Sequence, residues 1–173
     1  MSEYAIRTAT VDDAEAVSAL LAASYPELMK EAYPAAVLTP ALARMTKANP
    51  RLLESGRFYV AESAKGSLVG CGGWSTERPG DDLIEHGLAH IRHFATHPAW
   101  TGKGIGRALY EWCESDAAAI GCTALECWAS LNAEGFYEAL GFERIAEIHV
   151  RIGPSVLLPS IRMRRRISRA AGP

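Results

Sequence analysis

The sequence predicts a mixed α/β sheet built as one domain over residues 1–173. Three observations carry that expectation. Segments of alternating apolar and polar residues pair as hairpins toward both ends of the chain. A strand–helix–strand–helix run occupies residues 89–140. A length of 173 residues, 49% of them hydrophobic and 22% charged, is enough for one core without metal or disulfide staples.

The elements follow in order. Tyr4 to Ala9 alternates as a strand. Thr10 then stands as an N-cap, with Asp12 and Asp13 in the first turn of a helix that carries Ala14, Val17, Leu20 and Leu21 on one face. A second helix is expected from about Thr39, with Pro40 at its first position, to Ala48, and Pro50 lies just beyond it. Arg57–Glu62 and Ser67–Trp74 read as strands joined by the turn Ala64-Lys65-Gly66. Residues 75–88 read as a loop. Ala89–Thr96 is a strand. Gly104–Ile120 is a helix with Ile105, Leu109, Trp112 and Ala119 near one side and Glu111, Glu114 and Asp116 on the other. Thr123–Trp128 is a short buried strand, and Ala133–Leu140 is a short helix closed by Gly141. Arg144–Ile152 and Ser160–Ile167 close the chain as strands.

Composition narrows the function classes. The net charge is −2, but it hides a split: the first 150 residues carry 12 basic against 20 acidic side chains, and the last 23 carry six arginines and no acid. In the terminal strand most of these arginines alternate with Ile161, Met163 and Ile167 and read as a solvated outer face; Arg165 breaks the alternation and points with the apolar set. No nucleic-acid partner is expected from the whole-chain charge; a small nucleic-acid-binding domain is the rival reading that the arginines offer. The start of the chain lacks a basic segment followed by an apolar one, and no apolar run reaches the ~20 residues a membrane helix needs, so the expectation is a cytoplasmic protein with no membrane partner. Cys71, Cys113, Cys122 and Cys127 have no metal-binding spacing and read as buried thiols, with no metal site.

The most informative segment runs from His97 to Leu109. Glycines at 102, 104 and 106 allow a tight turn with uncovered amides where a helix begins, a seat for phosphate. A Walker loop needs GxxxxGK[ST], which is absent. A dinucleotide fingerprint needs a third glycine at position 107, which is Arg107. Thr101-Gly102-Lys103-Gly104-Ile105-Gly106 instead resembles the acetyl-CoA loop [Q/R]xxGx[G/A] of the GNAT superfamily of N-acetyltransferases, with Thr101 in place of the usual Gln or Arg. Asn132 to Phe142 (Asn-Ala-Glu-Gly-Phe-Tyr-Glu-Ala-Leu-Gly-Phe) resembles the family's Nxx(A/G)xxFYxxxGF segment. The resemblance covers about Ile6 to Ile167 and is strongest over 90–142.

That resemblance implies a GNAT acyl-CoA N-acyltransferase fold. The fold has about seven strands, mainly antiparallel, with parallel central strands 4 and 5 splayed apart and about four flanking helices. It implies acetyl-CoA as co-substrate, its pantetheine arm lying in the splay. Phe94, Ala95 and Thr96 would then meet the pantetheine. Thr101, Gly102, Lys103, Gly104, Ile105, Gly106 and Arg107 would hold the diphosphate, with Asn132 nearby. Tyr137 corresponds to the family's general acid. His90, six residues before Thr96, stands where related acetyltransferases place a catalytic Glu or His, and it acts directly or through a water; Glu126, Glu77 and Glu85 are alternative bases. His93 and His97 read as structural. The oxyanion donor is expected among the backbone amides near Ala95 and Thr96. Cys127 lacks an obvious base, so direct transfer in a ternary complex is expected over an acetyl-cysteine.

In this fold the acceptor surface comes from the first two helices and the last hairpin, which place Tyr25, Leu28, Met29 and Tyr33 there. Glu77, Asp81, Asp82 and Glu85 against Arg78 add an acidic rim. Together they favour a cationic amine: a small amine, a polyamine or a peptide amine. A CoA-binding regulatory module without catalysis is the other reading, and a homodimer is compatible with the sequence.

Overall fold

The computed structural model describes residues 2–167. In chain order the elements are β1 (Tyr4–Thr8), α1 (Ala14–Met29), α2 (Ala35–Met45), α3 (Pro50–Glu54), β2 (Phe58–Ser63), β3 (Leu68–Ser75), β4 (Leu88–Thr96), α4 (Ile105–Ala119), β5 (Ala124–Ser130), α5 (Glu134–Ala139), β6 (Glu143–Ile152) and β7 (Val156–Arg166). They form one seven-stranded sheet in the order β1-β2-β3-β4-β5-β7-β6. Every pairing is antiparallel except β4 with β5. Among the described residues no helix is long and apolar enough to cross a membrane.

Local chemistry explains most of the element ends. Val11–Asp13 is a turn of 3-10 helix, and the Asp13 carboxylate accepts the Thr10 N–H at 2.8 Å and both terminal nitrogens of Arg7. Arg7 holds the Asp13 carboxyl below its usual range. The second helix begins at Ala35, four residues before its expected start, and Pro40 lies inside it; the extended Pro34 is its N-cap. Pro50 does not follow a helix but opens α3, where the Asn49 side chain caps Arg51 N–H at 3.0 Å. α4 buries Ile105, Leu109, Tyr110, Cys113 and Ala117, a stripe at helical spacing. Trp112 and Ala119 fall outside that stripe and are exposed, whereas Asp116, expected on the outer face, accepts from Tyr59 O–H and from Trp74 Nε1.

α4 packs on one face of the sheet and α1 with α3 on the other, and α2 closes over the end of β7. Two irregularities position the site. β4 pairs with β5 only through Leu88↔Ala124, Ala89↔Leu125 and His90↔Glu126, after which the strands separate. On its other edge β4 bulges against β3, where the register shifts between Cys71 and Gly73. At the bulge His93 adopts φ +53°, and the Phe94 ring lies where a Cβ on Gly72 would approach within 2.5 Å.

Of the C-terminal arginines Arg151 and Arg166 are exposed, but Arg162 and Arg164 are half-buried rather than part of a solvated face. Glu126, 1% exposed, accepts from Arg162 Nε at 2.7 Å and Arg164 at 3.1 Å. Arg165 does side with the apolar set, crossing the Tyr110 ring to donate to Leu140 O and pair with Glu114 at 3.5 Å. β7 starts at Val156, four residues before the expected strand. Arg169 lies outside the described residues.

Candidate active site

Gly102 and Gly104 have φ +76° and +79°, and a Cβ at either would meet nothing within 4 Å. Backbone conformation therefore calls for glycine there, not lack of space. Gly104 is the N-cap of α4 and no side chain caps it. The amides of Ile105, Gly106 and Arg107 thus face outward at the positive end of a 15-residue helix. Thr101, which stands at the loop's variant position, donates to Pro98 O at 3.2 Å.

This helix start opens on a cavity of about 440 Å³ that runs into the gap between β4 and β5. All the residues expected to meet acetyl-CoA line it except Lys103. Lys103 turns away, pairing with Glu3 at 2.7 Å and lying over the Trp100 ring. Tyr25, Leu28 and Met29 of the expected acceptor surface also border this cavity. Two hydroxyls of α1 fasten the separated stretch of β4: Ser24 donates to Thr96 O at 2.7 Å and Tyr25 to Phe94 O at 3.0 Å. One acceptor position on each of these two carbonyls is therefore taken by the protein itself.

A second cavity, about 230 Å³, continues along the gap toward β6 and β7. The two share Tyr25, Met29, Phe94, Ser130, Ala133 and Tyr137, so they meet at Tyr137. Tyr137 is buried among Phe94, Phe136 and Phe142. Burial, above all, raises its hydroxyl well above the ordinary phenol range, so it is protonated at neutral pH. Cys127 lines the second cavity, and burial pushes its thiol up as well, away from the thiolate a nucleophile needs.

The histidines are placed differently from the alternation of a regular strand. His90 is 2% exposed and borders neither cavity; its Nδ1 lies 3.6 Å from Glu126 Oε2. Burial lowers its pKa, with Glu126 opposing. His93, read from the sequence as structural, lines the second cavity because the bulge turns it there. Burial first, and Arg92 second, lower its imidazole to about 4. Glu77 borders neither of the two joined cavities. It lines a polar pocket of about 190 Å³ on the far side of Arg92. Tyr33, expected on the acceptor surface, is a structural tie: its hydroxyl donates to Pro159 O at 2.6 Å and accepts from Leu131 N at 2.8 Å.

The acidic rim is largely neutralised. Asp81 pairs with Arg78 and Asp82 with Arg51. No Asp or Glu lines the second cavity, whereas Arg92 does. Sequence reasoning passed over Arg92, His93, Trp128 and Ser130 as cavity residues; the signal for them is their position on the two strands that part.

A family model described as an acetyltransferase (GNAT) domain matches residues 54–144, more than half of the chain. Among solved structures, one described as a GCN5-related N-acetyltransferase, aminotransferase class II, from Rhodopseudomonas palustris is 26% identical, with a TM-score of 0.77 over 96% of this chain and 97% of that one. PaiA N-acetyltransferase from Thermoplasma acidophilum, solved with coenzyme A, is 18% identical with a TM-score of 0.70, covering 96% and 99%. Ard1 from Thermoplasma volcanium is 19% identical with a TM-score of 0.65, covering 96% and 99%. No curated protein matches the sequence.

Proposed function

The chain belongs to the GNAT acetyltransferases, acetyl-CoA-dependent acyltransferases, and from that premise we propose that its single domain acetylates a primary amine by direct attack within a ternary complex. The observation that carries this reading is the continuous passage from the uncapped start of α4, through the gap between β4 and β5, to Tyr137 and the second cavity. An extended anionic molecule fits it, since free helix amides meet the charged end and a largely apolar slot takes the arm. Acetyl-CoA supplies there an acetyl carbon that bonds to the amine nitrogen as its bond to sulfur breaks.

The chain's own residues then have distinct tasks. The first-turn amides of α4 and the Gly102–Gly104 loop hold the diphosphate. Amides of the bulged β4 near Ala95 and Thr96 donate to the developing oxyanion. Tyr137, kept protonated by burial, gives its proton to the departing thiolate. His90, neutral and set beside Glu126, takes the proton of the amine through a water. His93 is a second reading for that base, favoured by one observation: it lines the acceptor-side cavity and His90 does not. The raised Cys127 thiol supports direct transfer over a covalent acetyl-enzyme.

The test is acetyl-CoA binding together with release of CoA thiol against a panel of amines. Tyr137→Phe is expected to lower kcat by about tenfold or more, ~1.4 kcal/mol of barrier, while acetyl-CoA affinity holds. Unchanged turnover sinks the acid assignment, and parallel initial-rate lines sink the ternary complex. His90→Gln and His93→Gln, compared for kcat, decide between the two bases.

A further inference from the structure

The second cavity has a chemical bias that the amine reading alone does not explain. Its walls are mostly apolar, with Met29, Met45, Ile91, Val150, Ile152 and Leu158 among them. Its permanent charge comes from Arg92. The Arg92 guanidinium donates from Nη1 to Ser75 Oγ at 2.9 Å, and Ser75 in turn donates to Glu77 O at 2.7 Å, so the side chain is held in place. Among the described residues no carboxylate forms an ion pair with it, unlike Arg78, Arg51, Arg162 and Arg164. Burial lowers its pKa, the mark of a cation short of solvent.

Groups on the far side of Arg92 do not reverse the sign. The polar pocket there sets Arg51, Arg57 and Arg92 against Glu77 and Asp82, and Asp82 is already paired with Arg51 at 3.2 Å. The groove that prolongs the cavity past Pro79 and Trp128 sets Arg78, Arg151 and Arg162 against Asp81 and Glu126, both of which are paired. A second donor lies on the facing strand β5: the Trp128 indole N–H has no partner among the described residues and is itself shielded, in a residue whose side chain lines the cavity. A buried donor left unpaired is costly, and a ligand oxygen would satisfy it once a turn of the ring uncovers it.

We propose that the acceptor is a primary amine carrying a carboxylate on an apolar frame, the chemistry of a hydrophobic amino acid, and that Arg92 and the Trp128 indole N–H hold that carboxylate. This rests on the acetyltransferase reading above and names its substrate class. A guanidinium fork matches a carboxylate, and the apolar walls take the side chain. A polyamine would set further cations beside Arg92 in a cavity without an acid, so the structure disfavours the polycationic substrates that the loop acids suggest. In the reaction the N–C bond forms, the acetyl C–S bond breaks, CoA leaves as the thiol, and the ammonium's surplus proton passes to solvent by way of the base.

The experiment compares L-phenylalanine with phenylalaninamide, phenethylamine and spermidine by CoA-thiol release. The expected result is a kcat/KM for L-phenylalanine about 30-fold or more above the three others, the size of a lost charge-assisted pair. In Arg92→Met the ratio of L-phenylalanine to phenylalaninamide falls toward one, and in Trp128→Phe, which keeps the ring, it falls by a smaller factor. A wild-type enzyme that uses phenethylamine or spermidine as well as L-phenylalanine overturns the inference and leaves the transferase reading standing; so does a ratio that neither variant moves. Release of CoA with none of the amines defeats the transferase reading itself. The carboxylate site is then read by titrating L-phenylalanine into the CoA-loaded protein: binding lost in Arg92→Met upholds it, and no binding in the wild type overturns it.

Discussion

Acidification is expected to unfold this protein through a histidine that the site keeps uncharged. Burial and the adjacent Arg92 hold the His93 imidazole at about 4 in the folded chain, against the ordinary value of 6.5. The folded state therefore binds the proton more weakly than the unfolded one. Stability from this group is complete above about 6.5, declines as the pH falls, and levels off below about 4, where both states are protonated. The difference amounts to roughly 3 kcal/mol at ~1.4 kcal/mol per tenfold, a large share of the ~5–15 kcal/mol that holds a domain together. His90, lowered in the same direction by burial, steepens the wild-type decline, so a variant is needed to isolate His93. His93→Asn is suitable, because asparagine accepts the φ of +53° at this bulge. Urea unfolding followed by circular dichroism, stepped from about pH 7 to about pH 4.5, gives both curves. The variant is expected to lose markedly less stability on acidification than the wild type. Equal losses would refute the reasoning, since the half-buried imidazole would then not be held neutral by its surroundings.

Three further outcomes follow from contacts already described. Glu126→Gln removes the charge on which Arg162 and Arg164 converge and is expected to cost roughly 2–4 kcal/mol in urea unfolding; an unaltered midpoint counts against that cluster as a stabilising centre. Gly106→Ala places a Cβ 2.8 Å from the Phe136 ring at the helix start. Its acetyl-CoA affinity by calorimetry is expected to fall by about tenfold, whereas unchanged affinity removes this turn from the diphosphate seat. Tyr33→Phe deletes a hydroxyl that joins the α1–α2 connection to β7 and to the end of β5, and about 1–3 kcal/mol of stability should go with it.

The glycine loop was legible in the sequence because its requirements are local. A positive φ at Gly102 and Gly104 and an uncapped helix start depend on a few neighbouring residues. Lys103, inside the same motif, was not legible as an outlier, since its partner Glu3 is supplied by the other end of the chain. That His93 lines the second cavity and His90 does not was hidden for a related reason. Alternation assigns faces only along a regular strand, and the bulge that resets it is fixed by the register of β4 against β3, with Phe94 lying over Gly72. The start of α2 was misplaced because Pro40 satisfies a first-turn reading, and α3 was missed because Pro50 reads equally well as the stop after a helix.

By itself the sequence determined the strand order, the order of every helix but α3, the glycine turn at the start of α4 and the family, all written in short-range periodicity, glycine spacing and the segment around Tyr137. Only the tertiary structure decided what the charges do. The β5–β7 register sets Glu126 opposite Arg164 and beside Arg162, which ties two half-buried arginines of an apparently solvated face to a buried carboxylate. The loop between β3 and β4 pairs Asp81 with Arg78 and Asp82 with Arg51, and leaves Arg92 as the permanent charge on the second cavity. Coulomb energy depends on distance and burial, and a sequence states neither for residues this far apart along the chain.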